Sequence, residues 1–429
     1  MNILNKKIYV LTLGCRVNIF ESNQIIQDIK NNGAKFVKEV DRASIAIINT
    51  CCVTNKAVSK SRYFINKICK LKNIKLVCIC GCYSQYNQTN FSDKKIGIVI
   101  GTKYKTKIID LIKQYRGTRI VKIDNVLKEK EFEFKNNSCE TITTRGFIKI
   151  QDGCNFNCSY CIIPLVRGKQ RSLEHKIIIS DIKNMIKNNM KEIVLTGVNT
   201  AGYNDDGYSF FDLLEDINEI KGSFRIRISS LEPFQINKNI IDLICNSKDR
   251  FCQFFHICLQ NANDKILKDM NRKYTFKQFD CLCKYIRLKS PLASITTDYI
   301  VGYPSETIDN FNLSIKNLDK LKLSNMHLFP FSLHKGTKAE EITNLVSENE
   351  KKRRFGILRS LNKKNNEKYF KKFIGKKVSV LFEKSNEKGI QQGHSQYFFS
   401  VKVKTKAILT NKMINTRIID INDTCLLGK

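Results

Sequence analysis

Three closely spaced cysteines offer the clearest chemistry in the chain. Cys154, Cys158 and Cys161 are separated by three and then two residues. Thiolates are the ligands that cubic iron–sulfur clusters take, and a short loop can wrap one face of such a cluster. A closed cluster needs four ligands, so three thiols leave one iron open to a group that is not protein. A structural zinc site is the alternative, but zinc knuckles usually pair two CxxC units, and no second unit lies nearby.

A second set of cysteines follows three apolar, β-branched segments in the N-terminal third. These segments, at residues 8–13, 44–48 and 75–80, alternate with segments of helical pattern and predict an open parallel α/β sheet. A cysteine follows each segment within three residues: Cys15, Cys51 and Cys82. The carboxyl ends of parallel strands lie along one edge of a sheet. The three thiols are therefore predicted to converge into a second three-cysteine site.

Neighbouring cysteines complicate this second site. Cys52 adjoins Cys51, while Cys78 and Cys80 share one face of a strand with Cys82 by the two-residue period. Free cysteine is among the most buried residue types, so Cys78 and Cys80 are predicted to be buried hydrophobic residues. Whether Cys52 competes with Cys51 stays open.

The middle of the chain repeats a short strand and a helix six times, after a charged linker at residues 124–137. The predicted strands lie at residues 145–150, 192–195, 225–229, 251–259, 294–301 and 325–331. This pattern predicts a partial (β/α)6 barrel, whose chemistry lies at the carboxyl ends of the strands.

Small and polar residues follow these strands and suit a zwitterionic nucleoside ligand, because glycine allows close backbone approach and the others form hydrogen bonds. Taken singly, each is equally well explained as a loop cap. The candidate ligand-binding residues are Thr196, Gly197, Asn199, Ser230, Glu232 and Gln260. His256 is expected to be a hydrogen-bonded core residue.

The C-terminal end has the pattern of a small antiparallel β-barrel. Residues 377–382 and 397–403 alternate apolar and polar side chains, with glycines between them. Tyr397, Phe398 and Phe399 lie among basic residues that suit RNA, although two of these aromatics are expected to fill the barrel core. The basic segment at residues 351–354 begins a helix and is interpreted as a solvated face, with a phosphate-binding track as the alternative.

The cysteine motifs carry a family resemblance that covers essentially the whole chain. Residues 151–161 resemble the CxxxCxxC signature of the radical S-adenosylmethionine (SAM) enzymes. Thr12-Leu-Gly-Cys-Arg-Val-Asn18, Asn49-Thr-Cys-Cys-Val-Thr54 and Gly81-Cys-Tyr-Ser-Gln85 resemble the three cysteine motifs of the methylthiotransferase family. The C-terminal end resembles the TRAM domain, an OB-like RNA-binding module. The expected domains are residues 1–123, 140–370 and 373–429.

The resemblance implies two [4Fe-4S] clusters and SAM as cofactors. It assigns the SAM-cleaving cluster to Cys154, Cys158 and Cys161, and an auxiliary cluster, associated with the sulfur to be transferred, to Cys15, Cys51 and Cys82. It also implies that the strand-end residues given above contact SAM. Arg167 and Arg272 are phosphate or SAM-carboxylate contacts on this view, and surface ion pairs on the alternative view.

Three departures from the family pattern concern the barrel and not the cluster cysteines. The family's Gln-Ser-Gly is Gln260-Asn-Ala262 here, its Gly-Phe-Pro-Gly contains Ser305, and the arginine of its Tyr-Ser-X-Arg is His334. These changes bear on the detail of cofactor contacts.

The resemblance implies a tRNA methylthiotransferase that uses a 5′-deoxyadenosyl radical to place a methylthio group on carbon 2 of an adenosine at position 37. The motifs are most similar to the branch acting on threonylcarbamoyladenosine. The same chemistry on isopentenyladenosine or on an aspartate of a ribosomal protein remains an alternative, and a non-catalytic, metal-stabilised RNA-binding protein is a distant one.

Composition fits these expectations. The net charge of +34 favours a polyanionic partner, here the tRNA anticodon stem-loop, although a bias toward lysine, asparagine and isoleucine contributes to it. Seventeen irregularly spaced cysteines, without a secretory start, indicate a reducing, cytoplasmic location. No apolar run approaches the ~18 residues of a membrane span. A flavodoxin- or ferredoxin-type electron donor is expected, and the sulfur donor is unknown.

Overall fold

A computed structural model of the chain describes residues 1–87, 91–135, 144–247, 249–384, 389–422 and 425–429. Parts of the predicted linker and of the predicted start of the central domain, residues 136–143, lie outside the described residues. The chain forms two compact units. The first comprises Met1–Ile142, Lys149–Leu173 and Ser332–Thr337, and the second comprises Thr143–Ile148, Glu174–Phe331 and Lys338–Lys429.

A six-stranded parallel sheet forms the centre of the first unit. Its strands are β1 Lys7–Thr12, β2 Lys35–Val37, β3 Ile45–Thr50, β4 Leu76–Gly81, β5 Ile96–Ile100 and β6 Ile120–Lys122. Their order is β2-β1-β3-β4-β5-β6, and every neighbouring pair is parallel. The helices are α1 Arg16–Asn31, α2 Asn55–Cys69, α3 Cys82–Tyr86 and α4 Ile108–Gln114. The predicted open parallel sheet is confirmed.

Both faces of this sheet are covered, which explains the continuous apolar runs of its strands. Alternate residues of β3 belong to opposite cores: Ala46 and Ile48 to one, Ile45 and Ile47 to the other. Helix α2 packs on the first core, and α1 and α4 pack on the second.

The strand β7, Gly146–Asp152, is buried along its whole length and passes from the second unit into the first. The CxxxCxxC loop follows it, then α5 Ile163–Arg167 and the short β8 Arg171–Ser172. The end of β7 pairs antiparallel with β8, with Gln151 opposite Ser172. This pairing closes the loop that carries the three cysteines.

The second unit contains most strands of the predicted partial barrel. Its strands are β9 Glu192–Gly197, β10 Asn204–Asp205, β11 Tyr208–Ser209, β12 Arg225–Ile228, β13 Ser230–Leu231, β14 Phe254–Ile257, β15 Ser294–Val301 and β16 Asn325–Pro330. Its helices are α6 His175–Lys187, α7 Phe210–Glu219, α8 Lys238–Asn246, α9 Asp264–Asp269, α10 Phe276–Lys289 and α11 Ile308–Leu321.

Two four-stranded sheets form this barrel, in the orders β12-β9-β7-β8 and β13-β14-β15-β16. A parallel bridge between Ile226 and Phe251 joins β12 to the segment before β14. Six strands therefore follow one another in chain order, each leading to a helix, as the repeated strand–helix pattern predicts.

A closed five-stranded barrel ends the chain. After α12, Glu348–Lys371, the strands are β17 Lys377–Phe382, β18 Ile390–Ser395, β19 Ser400–Lys404, β20 Met413–Asn422 and β21 Cys425–Gly428. Their order is β17-β18-β19-β21-β20. The predicted antiparallel pairing is wrong at one place, because β19 and β21 are parallel. Among the described helices of the chain, none is both long and apolar enough to cross a membrane.

Two expectations for the C-terminal end need correction. The strand predicted at residues 397–403 begins only at Ser400, because Phe398 has a left-handed backbone with φ of 66°. Tyr397 and Phe399 pack in the barrel core, as expected of two of the aromatics, and Phe398 packs against the guanidinium of Arg227, 4.6 Å from the ring centroid. All three rings are thus used for packing.

The solvated-face interpretation of residues 351–354 is wrong for two of the four side chains. Lys351 and Arg354 are buried on α12. Arg354 forms an ion pair of 2.7 Å with Glu306, and the Lys351 ammonium lies over the ring of Phe331.

Candidate active site

Sharp turns at the ends of β1, β3 and β4 position the first set of thiols. Cys15 lies at the N-cap of α1, Cys51 follows β3 directly, and Cys82 is the first residue of α3. Gly14 has φ of +99°, and a Cβ atom added to it would lie 2.6 Å from Cβ and 2.8 Å from Sγ of Cys51. Only glycine leaves room for Cys51 at this turn.

The three thiols of this edge influence one another. Burial raises the pKa of the Cys51 thiol to about 12, and the neighbouring Cys82 and Cys15 add to that rise. Deprotonation of such a group needs a strong positive partner, which a bound metal centre supplies. Three thiols from three adjacent strand ends therefore fit an iron–sulfur cluster with one open iron.

Three further cysteines of this region, Cys52, Cys78 and Cys80, lie in surroundings that differ from those of the three thiols at the strand ends. Cys52 is fully buried, and its thiol donates to the backbone carbonyl of Cys82 over 3.4 Å. Cys78 and Cys80 are fully buried in the core on the opposite face of the sheet from Cys82, so the prediction of their burial is confirmed. The predicted shared face of the three is wrong, because Gly81, with φ of +109°, turns the chain before Cys82.

The CxxxCxxC loop presents partly exposed thiols on a fixed backbone. The amide of Phe156 donates to Sγ of Cys154 over 3.4 Å, and the amide of Cys154 donates to the carbonyl of Gly168 over 3.1 Å. A Cβ atom on Gly153 would lie 1.9 Å from the carbonyl oxygen of Lys169, so the loop requires glycine there. Amide donation to sulfur and partial exposure both fit cysteines that bind a cluster.

A buried ionic network lies between these two cysteine-bearing segments of the first unit. Arg167 is 1% exposed, and its Nη1 lies 3.0 Å from Oε1 of Glu21 and 3.0 Å from Oδ1 of Asp152. Its Nη2 donates to Oδ1 of Asn18 over 2.8 Å. Lys149 contacts Asp152 at 2.9 Å and Glu21 at 3.4 Å.

This network corrects the surface ion-pair interpretation of Arg167, since the side chain is a buried cation with buried partners. Burial alone would raise the pKa of Glu21, but Arg167, Lys105 and Lys149 lower it to about 2. Asn18 also donates to the carbonyls of Leu13 and Thr50, the latter next to Cys51. Sequence reasoning missed this role, although Asn18 ends the first cysteine motif and Glu21 lies three residues after it.

In the second unit, the predicted SAM contacts lie at the carboxyl ends of β9, β13 and β14. Thr196 and Asn199 are buried, and Ser230 is partly exposed. Gln260 has φ of 66°, and its backbone N–H donates to the backbone carbonyl of Asp298 over 2.9 Å. Strands β13 and β14 are direct neighbours, while β9 belongs to the other sheet. The strand order thus brings the regions of Ser230 and Gln260 together.

Glu232 and Arg272 form an ion pair in this region. Burial raises the pKa of Glu232, and Arg272 opposes the rise. Arg272 also donates to the carbonyl of Cys258 over 3.3 Å, and both side chains of the pair are largely buried, so the surface-pair interpretation of Arg272 is wrong. His256 is 8% exposed and bonds the hydroxyl of Thr296 at 2.9 Å, which confirms a hydrogen-bonded core position.

The departures from the family pattern have local compensations. Asn261 donates to Oε1 of Glu306 over 3.0 Å. Ser305 has φ of 69°, a conformation that favours glycine, and its hydroxyl donates to Asp269 over 2.8 Å. Nε2 of His334 lies 3.0 Å from the carbonyl oxygen of Val53.

Two family models match the chain. The model described as "Uncharacterized protein family UPF0004" matches residues 7–101, and that of the "Radical SAM superfamily" matches residues 148–318. Among solved structures, the radical S-adenosylmethionine methyltransferase TsrM from Kitasatospora setae has a TM-score of 0.57 at 12% identity, covering 78% of this chain and 77% of that chain. The fold and these matches define a radical SAM enzyme.

Curated relatives narrow the class. "Threonylcarbamoyladenosine tRNA methylthiotransferase MtaB" of Bacillus subtilis is 32% identical, covering 95% of this chain and 92% of the relative, and that of Chlamydia pneumoniae is 33% identical, covering 98% and 97%. "tRNA-2-methylthio-N(6)-dimethylallyladenosine synthase" of Clostridium beijerinckii is 32% identical, covering 99% and 96%. The chain belongs to the radical SAM methylthiotransferase family. It is a transferase whose cofactors are SAM and two [4Fe-4S] clusters.

Proposed function

We propose that this enzyme adds a methylthio group to carbon 2 of threonylcarbamoyladenosine at position 37 of tRNA. The observation that supports the proposal is that two separate sets of three cysteines lie in one compact unit, one set in the loop after β7 and the other at three neighbouring strand ends. Ring carbon 2 is a poor electrophile with a strong C–H bond, so its modification needs both a radical source and a sulfur carrier. Two clusters, each with one open iron, meet those two needs.

The choice between the two adenosine substrates rests on a sequence motif. Relatives that bear the threonylcarbamoyladenosine name and one that bears the dimethylallyladenosine name are about equally similar, at 32–33% and 32% identity. The amino-acid sequence of the motif at residues 12–18 favours the branch acting on threonylcarbamoyladenosine.

Each group of residues has a role in the proposal. Cys154, Cys158 and Cys161 hold the SAM-cleaving cluster, and Cys15, Cys51 and Cys82 hold the auxiliary cluster. When bound, these groups supply reductive SAM cleavage and a transferable methylthio group. The residues at the ends of β9, β13 and β14 hold SAM: Thr196, Gly197, Asn199, Ser230, Gln260, and Glu232 together with Arg272. Cys51 is favoured over Cys52, because the Cys52 thiol is bonded to a carbonyl.

The remaining parts bind partners. The net charge of +34 supports binding of the tRNA anticodon stem-loop, in part through the C-terminal barrel. A flavodoxin- or ferredoxin-type protein supplies electrons in this proposal.

The test is mass spectrometry of tRNA nucleosides from a bacterial host that lacks its own methylthiotransferases and expresses this gene. We expect methylthio-threonylcarbamoyladenosine. Methylthio-isopentenyladenosine instead would keep the chemistry and overturn the substrate. If neither product is found although the protein carries both clusters, the tRNA proposal is contradicted.

Matched cysteine variants test the ligand assignment in the same host. Cys51→Ala is expected to abolish the product and to lower the iron content by one cluster. Cys52→Ala is expected to keep the product and the full iron content. The reverse result would transfer the ligand role to Cys52.

A further inference from the structure

Three side chains, one on β14, one directly after β14 and one within β15, form a compact group of metal-ligand types. The imidazole, thiol and carboxylate of His256, Cys258 and Asp298 offer ligand atoms that all lie within 4.8 Å of one another. Nε2 of His256 lies 3.3 Å from Oδ1 of Asp298. In the described part of the chain, no other three histidine, cysteine or acidic side chains meet this spacing.

Strand geometry explains the grouping. His256 and Cys258 are two residues apart, so their side chains lie on the same side of an extended chain. Thr296 of β15 pairs with His256, which brings Asp298, two residues further on, toward the segment that follows β14. Beyond that pair the register shifts by one residue, because Gln260 bridges to Tyr299. The grouping therefore arises where two neighbouring parallel strands leave regular pairing.

Neighbouring groups hold the His256 ring and the backbone of Cys258. Nδ1 of His256 bonds Oγ1 of Thr296 at 2.9 Å, which leaves Nε2 on the side of Asp298. Metal-binding histidines commonly use the second ring nitrogen in this way. The carbonyl of Cys258 accepts from the hydroxyl of Tyr274 over 2.7 Å and from Arg272, whose charge is paired with Glu232.

We propose that His256, Cys258 and Asp298 bind a single zinc-type transition ion with a fourth position open to water or a small ligand. One thiolate, one imidazole and one carboxylate form a donor set that suits zinc. A tetrahedral zinc with bonds of about 2.0–2.3 Å holds its ligand atoms roughly 3.3–3.7 Å apart. The 3.3 Å between Nε2 of His256 and Oδ1 of Asp298 matches that spacing, and the thiol of Cys258 lies within 4.8 Å of a ligand atom of each residue.

This site is distinct from the two cluster sites. None of the six proposed cluster cysteines takes part in it. Thiolates that bind different irons of one cubic cluster lie farther apart than the ligands of one ion, so the close spacing selects a mononuclear site. The proposal does not depend on which nucleoside the enzyme modifies.

The experiment uses the full-length protein with both clusters assembled under anaerobic conditions and then equilibrated with zinc. Elemental analysis counts zinc and iron, and zinc K-edge absorption counts the sulfur ligands. We expect one zinc per chain, bound by one sulfur and otherwise nitrogen and oxygen, with the iron content unchanged.

Variants assign the ligands. Cys258→Ala and Asp298→Asn are expected to weaken zinc binding at least tenfold and to leave iron unchanged, and Thr296→Val to weaken it less. Cys281→Ala, which removes an exposed thiol elsewhere in the same unit, keeps the zinc. A wild-type spectrum with three sulfur ligands, the absence of bound zinc, or zinc retained in Cys258→Ala would overturn the proposal. The wild-type spectrum decides the matter even if a variant fails to fold.

Discussion

Arg167 joins the backbone segments around both sets of cluster-type cysteines in the first unit. It contacts Asp152, two residues before Cys154, and Asn18, whose amide holds the carbonyls at the turns before Cys15 and Cys51. The guanidinium fork reaches these groups at the same time, which the single ammonium of lysine cannot do. The position of each thiol set therefore depends on one buried side chain.

Replacement of Arg167 by glutamine is predicted to leave Glu21 and Asp152 buried with less positive charge. Removal of one partner from a buried ion pair typically costs about 3–5 kcal/mol. We expect the free energy of unfolding to fall by about that amount in urea titrations, and the iron content per chain to fall with it.

Two further variants control this experiment. Arg167→Lys is expected to recover part of the loss, because it restores charge without the fork. Arg42→Gln breaks an exposed pair with Glu39 and is expected to change stability by less than about 1 kcal/mol. Equal stability of Arg167→Gln and Arg42→Gln would show that the network is not needed.

Ser305 occupies a left-handed backbone position that normally belongs to glycine. Ser305→Gly and Ser305→Ala both remove the hydroxyl bond to Asp269, but only glycine relieves the unfavourable φ. We expect the glycine variant to be more stable than the alanine variant by about 1 kcal/mol in urea titrations.

The same pair of substitutions at Ser360 is the control. Ser360 lies exposed within α12, where alanine is expected to be the more stable by about 1 kcal/mol. A glycine preference at both positions, or at neither, would contradict the role of the Ser305 backbone.

At the scale of elements, strand positions follow from sequence where local pattern decides them. The predicted bounds of Ser294–Val301 agree with those of β15. The strand predicted at residues 251–259 is only Phe254–Ile257 in the structure. Phe251, before it, forms a bridge with β12. Gln260, after it, has a positive φ and forms a bridge with β15. Convergence of the strand ends was predictable because it depends on topology alone.

The ionic network behind those strand ends was not predictable in the same way. Arg167 and Glu21 are separated by 146 positions in the chain. Neither the spacing nor the composition of either segment indicates its partner, and a charged residue is usually exposed. The wrong interpretations of Arg167, Lys351 and Arg354 share this cause.

Helix α6 carries an acidic residue at a position that its pattern reserves for apolar side chains. Asp181 is 2% exposed, and its Oδ2 has no hydrogen-bond partner among the described residues. Burial raises the pKa of Asp181 to about 6 from an ordinary value of 3.8. The folded state thus favours the protonated form, so ionised Asp181 reduces stability above about pH 6, and this cost disappears as the pH falls below about 4.

Asp181→Asn is predicted to stabilise the protein by about 1–3 kcal/mol at pH 7.5 and by roughly half as much at pH 5. Thermal unfolding of the cluster-free protein at the two pH values measures the difference. Asp110→Asn, at an exposed position of α4, is expected to change stability by less than about 0.5 kcal/mol at either pH. A gain at Asp181 that does not depend on pH would rule out the proposed cause.

At the scale of the whole chain, a buried triad attaches the C-terminal barrel to the strands of the second unit. Glu192 on β9 accepts from Arg225 and Arg227 on β12, each at 2.7 Å, and all three side chains are almost fully buried. Arg225 then donates to the carbonyls of Ser379 and His394, at 3.0 and 2.8 Å. These two contacts use backbone carbonyls of the barrel, which every residue carries, so nothing in the barrel's sequence indicates them.

Glu192→Gln is predicted to loosen this attachment, because both guanidinium groups would remain buried without their shared counter-charge. The expected loss of unfolding free energy is about 3–5 kcal/mol, and limited proteolysis should cut more readily between α12 and β17. Asp242→Asn, which breaks a partly exposed pair with Lys289, is the matched control and should change neither result. The attachment has a different origin if Glu192→Gln resists protease like the control, since the packing of Phe398 on Arg227 would then suffice to hold the barrel.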